Sequence, residues 1–192
     1  MSALHALPTL LPSLESGLAP TALSTQELLQ REDIWRARSG SQQKLATQAT
    51  GCAELDAQLP GQGWPIGRLS EILLPQLGLG EIELLLPLLA RRSQLGQTLV
   101  YVRPPCPPNI PALAGAGVAL DRVLLVVPAN EREALWASEQ ILGSGTACSV
   151  LLWAEQADER ALRRLALAAE GSRSLALVFR PIPQQAQVSP AT

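Results

Sequence analysis

The chain has 192 residues, is 47% hydrophobic and 17% charged, and carries a formal net charge of −2. That is enough for one ordinary domain with a real core plus tails, and it excludes a globally basic nucleic-acid binder. Cys52, Cys106 and Cys148 form no CxxC, and the one histidine, His5, cannot complete a zinc site, so no metal is expected and the thiols are read as reduced and buried in a cytoplasmic protein.

In chain order, residues 1–22 mix Pro, Ser, Gly and Leu without a period and read as a disordered tail. No run reaches 18 clean apolar residues, and the start lacks a basic region and carries Pro8 and Pro12, so neither a membrane span nor a signal peptide is expected. Ser24-Thr25-Gln26-Glu27 has the form of a capping box and opens a helix that runs to about Arg38, giving a separate N-terminal element over 23–40. Leu28 and Trp35 share one face with Arg31 between them, while Arg36 and Arg38 sit near the end, where the helix dipole favours cations. Residues 41–49 read as a linker by composition.

From residue 50 to 181 the pattern is a βα alternation. Short apolar strands are expected near 69–74, 98–103, 122–127, 148–153 and 174–179, with helices near 80–93, 109–116, 130–142 and 157–170. Apolar strands alternating with helices predict an α/β fold, a predominantly parallel sheet flanked by helices and covered on both faces. Pro87 inside the leucine-rich helix of 80–93 is expected to kink it, at a cost of ~3 kcal/mol unless packing compensates. Residues 182–192 turn polar and read as a second disordered tail.

The segment with most chemical content is Ser70-Glu71-Ile72-Leu73-Leu74, read as a buried strand, followed by Pro75-Gln76-Leu77-Gly78-Leu79-Gly80-Glu81 and then a helix. Strand, glycine-bearing turn and helix is the layout of a phosphate-binding loop, in which backbone N–H groups and a lysine cradle the phosphates. Here the lysine's place falls on Gly80 or Glu81, depending on the alignment, and a carboxylate repels the ligand a lysine attracts. Pro75, Gly78, Gly80 and Glu81 therefore read as a degenerate loop that binds no nucleotide cofactor.

The run Thr50-Gly51, Leu55-Asp56, then Gly61-Gln62-Gly63-Trp64-Pro65-Ile66-Gly67-Arg68 resembles the entry to the ATPase core of the RecA recombinases, and implies a RecA-like core over 50–181. The chain departs from that family at each catalytic station. The loop lacks the lysine and Ser/Thr. Arg103-Pro104-Pro105-Cys106-Pro107-Pro108 follows the second strand, where the family has an acid, and Val150-Leu151-Leu152 ends in Trp153-Ala154 without a metal-binding aspartate. No catalytic residue is expected; the chain reads as a pseudo-ATPase.

A further resemblance is to ImuA, the RecA-like accessory family of bacterial mutagenesis cassettes. It rests on Leu28 through Arg38, on Gly78-Leu79-Gly80-Glu81, on Ala134 through Gln140 and on Phe179-Arg180-Pro181. It implies a non-catalytic adaptor in SOS-induced mutagenic translesion DNA synthesis, acting beside an ImuB-type Y-family polymerase homologue and an error-prone C-family DNA polymerase, and contacting RecA. DNA contact would be mostly indirect, and the protein would join the nucleoid when active. The cell-division inhibitor SulA shares Ile72 through Gly96 and Glu170 through Pro181, and implies the alternative of action on FtsZ. A residual nucleotide binder is a third reading, disfavoured by Glu81.

Leu28, Arg31, Trp35, Arg36 and Arg38 are the candidate partner-binding residues, because Trp and Arg dominate binding hot spots. Trp64 is expected in the core, with a base-stacking platform as the alternative; Trp136 and Trp153 are expected to pack inside. Arg160, Arg163, Arg164 and Arg173 read as a solvated helical face rather than a strip for DNA phosphates.

Overall fold

The structure, a computed structural model, describes residues 46–146 and 148–182. The expected N-terminal helix with Leu28, Arg31, Trp35, Arg36 and Arg38, both expected tails and most of the linker lie outside the described residues.

A two-stranded antiparallel ribbon, β1 (Thr47–Gln48) with β2 (Trp64–Pro65), brackets a short helix, α1 (Ala53–Asp56). The end of the stretch read as a linker is thus a strand. The main sheet is formed by β3 (Leu69–Leu74), β4 (Thr98–Val102), β5 (Val123–Val126), β6 (Cys148–Trp153) and β7 (Leu175–Pro181). Its order is β3-β7-β6-β4-β5, and every neighbouring pair is parallel. The helices are α2 (Leu86–Gln94), α3 (Ile110–Gly115), α4 (Glu131–Gly143) and α5 (Glu159–Ala169).

The period of two along the strands divides the core. Val100 and Val102 of β4, Val150 and Leu152 of β6, and Ala176 and Val178 of β7 share one cluster with Ala134 and Leu142 of α4 and Leu162 and Leu165 of α5. Leu99 and Tyr101, Leu151 and Trp153, and Leu177 and Phe179 share the other with Leu88 and Leu89 of α2 and Leu113 of α3. Each fully buried leucine stabilises the fold by about 1.5–3 kcal/mol. Three of the helices, α3, α4 and α5, begin where a side chain caps them: Asn109 accepts from Ala112 N–H, Asn130 from Glu133 N–H, and Asp158 from Ala161 N–H.

Three expectations change. First, no helix starts at residue 80: a 3₁₀ turn, Glu83–Leu85, precedes α2, and Pro87 lies in the first turn of that helix. There its missing N–H needs no partner, so the kink and its cost do not arise. Second, the sheet is not covered throughout. β5 is an edge with Leu124 49% and Leu125 42% exposed, and β3 is the other edge, buried at Leu69 and Ser70 but only half-buried from Glu71 to Leu74. Third, Cys52 and Cys106 are exposed and only Cys148 is buried.

The glycine-rich lead-in is a structural clasp. Thr50 N–H donates to Asp56 Oδ1 at 2.8 Å, closing the turn that α1 occupies. Gly51 takes φ +98°, and a Cβ there would lie 2.6 Å from Pro87 Cβ, so this turn rests directly on the start of α2. Gly67 (φ +72°) brings its backbone against Ser172, where a Cβ would meet the carbonyl oxygen at 2.6 Å. The residues that carry the resemblance to RecA proteins here hold the sheet's entry in place.

Candidate functional site

In a parallel sheet, ligands bind beyond the carboxyl ends of the strands, where the connecting loops gather. Here the loop after β3 meets the proline-rich segment after β4, with the end of β6 beneath them. Gly78 and Gly80 adopt φ +84° and +93°, and a Cβ on Gly78 would lie 3.3 Å from Pro105. Between these segments is a cleft of about 220 Å³ lined by Gly78, Gly80, Glu81, Tyr101, Pro105 and Trp153 among others.

Glu81 organises this corner. It is buried, and its Oε1 accepts from Gly78 N–H at 2.9 Å and from the Trp153 indole N–H at 2.6 Å. The loop's own carboxylate thus satisfies a backbone N–H of the kind that holds a phosphate in a functional loop. Its second oxygen, Oε2, is buried without a hydrogen-bond partner. Trp153 is held in turn by stacking on Phe179 at 4.7 Å and Tyr101 at 6.1 Å. Tyr101 is buried, its hydroxyl has no partner, and burial pushes its pKa up to about 12.

The segment after β4 is held by ion pairs. Arg103 adopts φ +54° and reaches Glu131 at 3.4 Å and Glu155 at 3.8 Å. Glu131 also accepts from the backbone N–H groups of Glu155 (3.0 Å) and Gln156 (2.8 Å), so it fastens the loop after β6 to the start of α4. A structural clamp stands where the RecA resemblance implies an acid for water activation. Among the described residues no group of three or more His, Cys, Asp or Glu is placed to hold a metal ion.

Of the residues singled out from sequence, Gly78, Gly80 and Glu81 come together around the cleft, while Pro75 is exposed on the same loop and does not line it. Trp64 is buried in the core, as expected. Trp136 is not: it is 62% exposed, because α4 buries Ala134, Ser138 and Leu142 and turns the tryptophan to the other side. Trp153 does pack inside, but sequence reasoning missed its bond to Glu81. An indole at a strand end beside a loop carboxylate was the available signal, yet residues 72 positions apart obey no spacing rule. The arginine face of α5 is ion-paired, Arg163 with Glu159 at 3.2 Å and Arg164 with Glu139 at 3.3 Å.

Two buried arginines lie outside this corner. Arg180 of β7 pairs with Glu71 of the neighbouring β3 and donates to the Ala157 carbonyl at 2.9 Å. Arg92 of α2 donates to Ser149 Oγ (2.6 Å), Gln48 Oε1 (2.7 Å) and the Cys148 carbonyl (2.9 Å), joining the ribbon to the start of β6. Burial lowers the Arg92 pKa to about 10.

No protein-family model matches the chain. Among solved structures it is similar to SulA from Pseudomonas aeruginosa, at 29% identity and a TM-score of 0.50, over 59% of this chain and 97% of that one. The described domain therefore has a SulA-like α/β fold. None of its helices among the described residues is long and apolar enough to cross a membrane.

Proposed function

We propose that this protein is a non-catalytic, RecA-like adaptor that acts by binding other proteins in the bacterial response to DNA damage. The observation that carries the proposal is the closure of the degenerate loop by its own carboxylate: Glu81 accepts from Gly78 N–H and the Trp153 indole, where a nucleotidase needs a lysine and an aspartate. A buried carboxylate at that point opposes a triphosphate electrostatically, and Arg103 in the Glu131–Glu155 clamp supplies no base for water. Binding surfaces then remain as the means of action.

Within that class we favour the ImuA-type reading, an adaptor that joins an ImuB-type polymerase homologue and RecA in translesion synthesis. The segment Leu28 through Arg38 supports it, with Trp35, Arg31, Arg36 and Arg38 as the anchors, and the SulA likeness leaves about two fifths of the chain unmatched. The mechanism would be mimicry: a protomer-shaped module occupies a recombinase interface without cycling ATP. Its site of action would be the cytoplasm, at the nucleoid during damage.

The SulA likeness itself, spanning 97% of that chain, favours a second reading, inhibition of the tubulin-like division protein FtsZ. Three experiments separate the two. Deleting the gene should abolish damage-induced mutation while division stays normal, and a pull-down with the ImuB homologue should fail when residues 28–38 are removed. Filamentous cells on overexpression, with unchanged damage-induced mutation on deletion, would establish the division inhibitor instead.

A further inference from the structure

The cleft between the loop after β3 and the proline-rich segment after β4 has a chemical character opposite to that of a phosphate site. Its ionisable lining carboxylates are Glu81 and Glu83, and no lysine, arginine or histidine lines it. Two polar atoms of its lining residues, Glu81 Oε2 and Tyr101 Oη, are buried and unpartnered. A buried acceptor left unmade is costly, and a donor brought by a ligand removes that cost. Much of the remaining wall is apolar and stiff, with Asn109 and Cys106 beside it: Pro105, Pro108, Leu86 and Leu113 suit a methylene stem.

We propose that this cleft receives the guanidinium group of an arginine side chain carried by a partner protein. Guanidinium presents five donors in a rigid fork and is weakly hydrated, so it suits a part-buried carboxylate better than an ammonium does. At about 220 Å³ the cleft is below the ~300–1,000 Å³ common for drug-sized ligands, which fits a side chain rather than a nucleotide. Leu79 and Leu84, 67% and 44% exposed on the segment that forms one wall, give an apolar border on which the partner's flanking residues can rest. The occupant follows from charge complementarity and holds for either functional reading above.

The test uses the full chain with labelled tryptophan indoles. N-acetyl-arginine amide should shift the Trp153 indole N–H resonance saturably, in the millimolar range usual for so small a ligand. N-acetyl-citrulline amide, its neutral isostere, should bind at least tenfold more weakly. Glu83→Gln, an exposed and fold-neutral change, should weaken binding at least threefold, and added salt should weaken it further. A leucyl-arginine dipeptide amide should bind at least threefold more tightly than the single residue. No shift at roughly 50 mM, a concentration far above that range, or equal binding of the citrulline compound, overturns the proposal. Arginine binding that a flanking leucine does not improve overturns the partner-protein part of it.

Discussion

Glu81 shows how one side chain decides the character of a corner. Its carboxylate accepts at one oxygen from both the Gly78 N–H of its own loop and the Trp153 indole N–H at the end of β6. Trp153→Phe removes that donor, so the folded state should lose about 1–3 kcal/mol from the hydrogen bond alone, seen as a lower denaturant midpoint. Arg180 makes a second test. Arg180→Met leaves Glu71 without its buried partner and should cost about 3–5 kcal/mol, whereas joining it with Glu71→Leu should restore much of the loss. An unchanged midpoint in the single variant would show that the pair does not matter to stability. Thiol reactivity distinguishes the cysteines: Cys52 and Cys106 are exposed, while burial raises the pKa of Cys148 and shields it. Two equivalents of a thiol reagent should react quickly with the native protein and the third only on unfolding.

At the scale of elements, α2 and the strands show which parts of the fold a sequence discloses. β3 and β6 begin and end where the apolar runs do, because a run of that length between turn residues has few other ways to be buried. The start of α2 was misplaced because the leucines of 84–89 continue the apolar pattern through a 3₁₀ turn, and periodicity does not distinguish the two helix types over one turn. Pro87 was the better guide, since proline marks the first turn of a helix more often than its interior. Pro87→Ala should therefore change stability by less than about 1 kcal/mol, mainly through the unfolded chain, rather than relieve a kink. Gly51→Ala should be far more harmful, since it sets an L-residue at φ +98° against Pro87. Denaturation of the two variants side by side checks both. That the loop after β3 carries no lysine was legible in the sequence, but its internal closure was not, because Glu81 and Trp153 meet only when β6 lies beneath that loop. Trp136 escaped for the reverse reason: an apolar residue on a mixed helical face carries no sign of which side the sheet will take.

For the whole molecule, opposite ends of the sheet do different work. At the start of β6, Arg92 ties α2 to the sheet and to β1, a purely structural arrangement. At the carboxyl ends, the loop after β3, the proline-rich segment and the Glu131 clamp form a surface organised by the carboxylates of Glu81 and Glu131. Alkaline titration probes the interior of that surface. Tyr101 has its pKa raised in the folded state to about 12, so between its unfolded value near 10 and about 12 the folded chain holds the extra proton. Its contribution is complete below about pH 10 and is lost as the pH rises through about 12, by on the order of 2 kcal/mol. Tyr101→Phe should remove this part of the alkaline decline while Arg92, which titrates in the opposite sense, is left in place; identical decline in both proteins would show that Tyr101 does not contribute.

Calorimetric titration of the full-length protein with ATP and Mg²⁺ tests the central claim most directly. A loop closed by its own carboxylate predicts no saturable heat and no turnover. Magnesium-dependent, saturable binding that disappears when Gly78, Gly80 or Glu81 is changed would contradict it, and would return the protein to the class of nucleotide-driven machines.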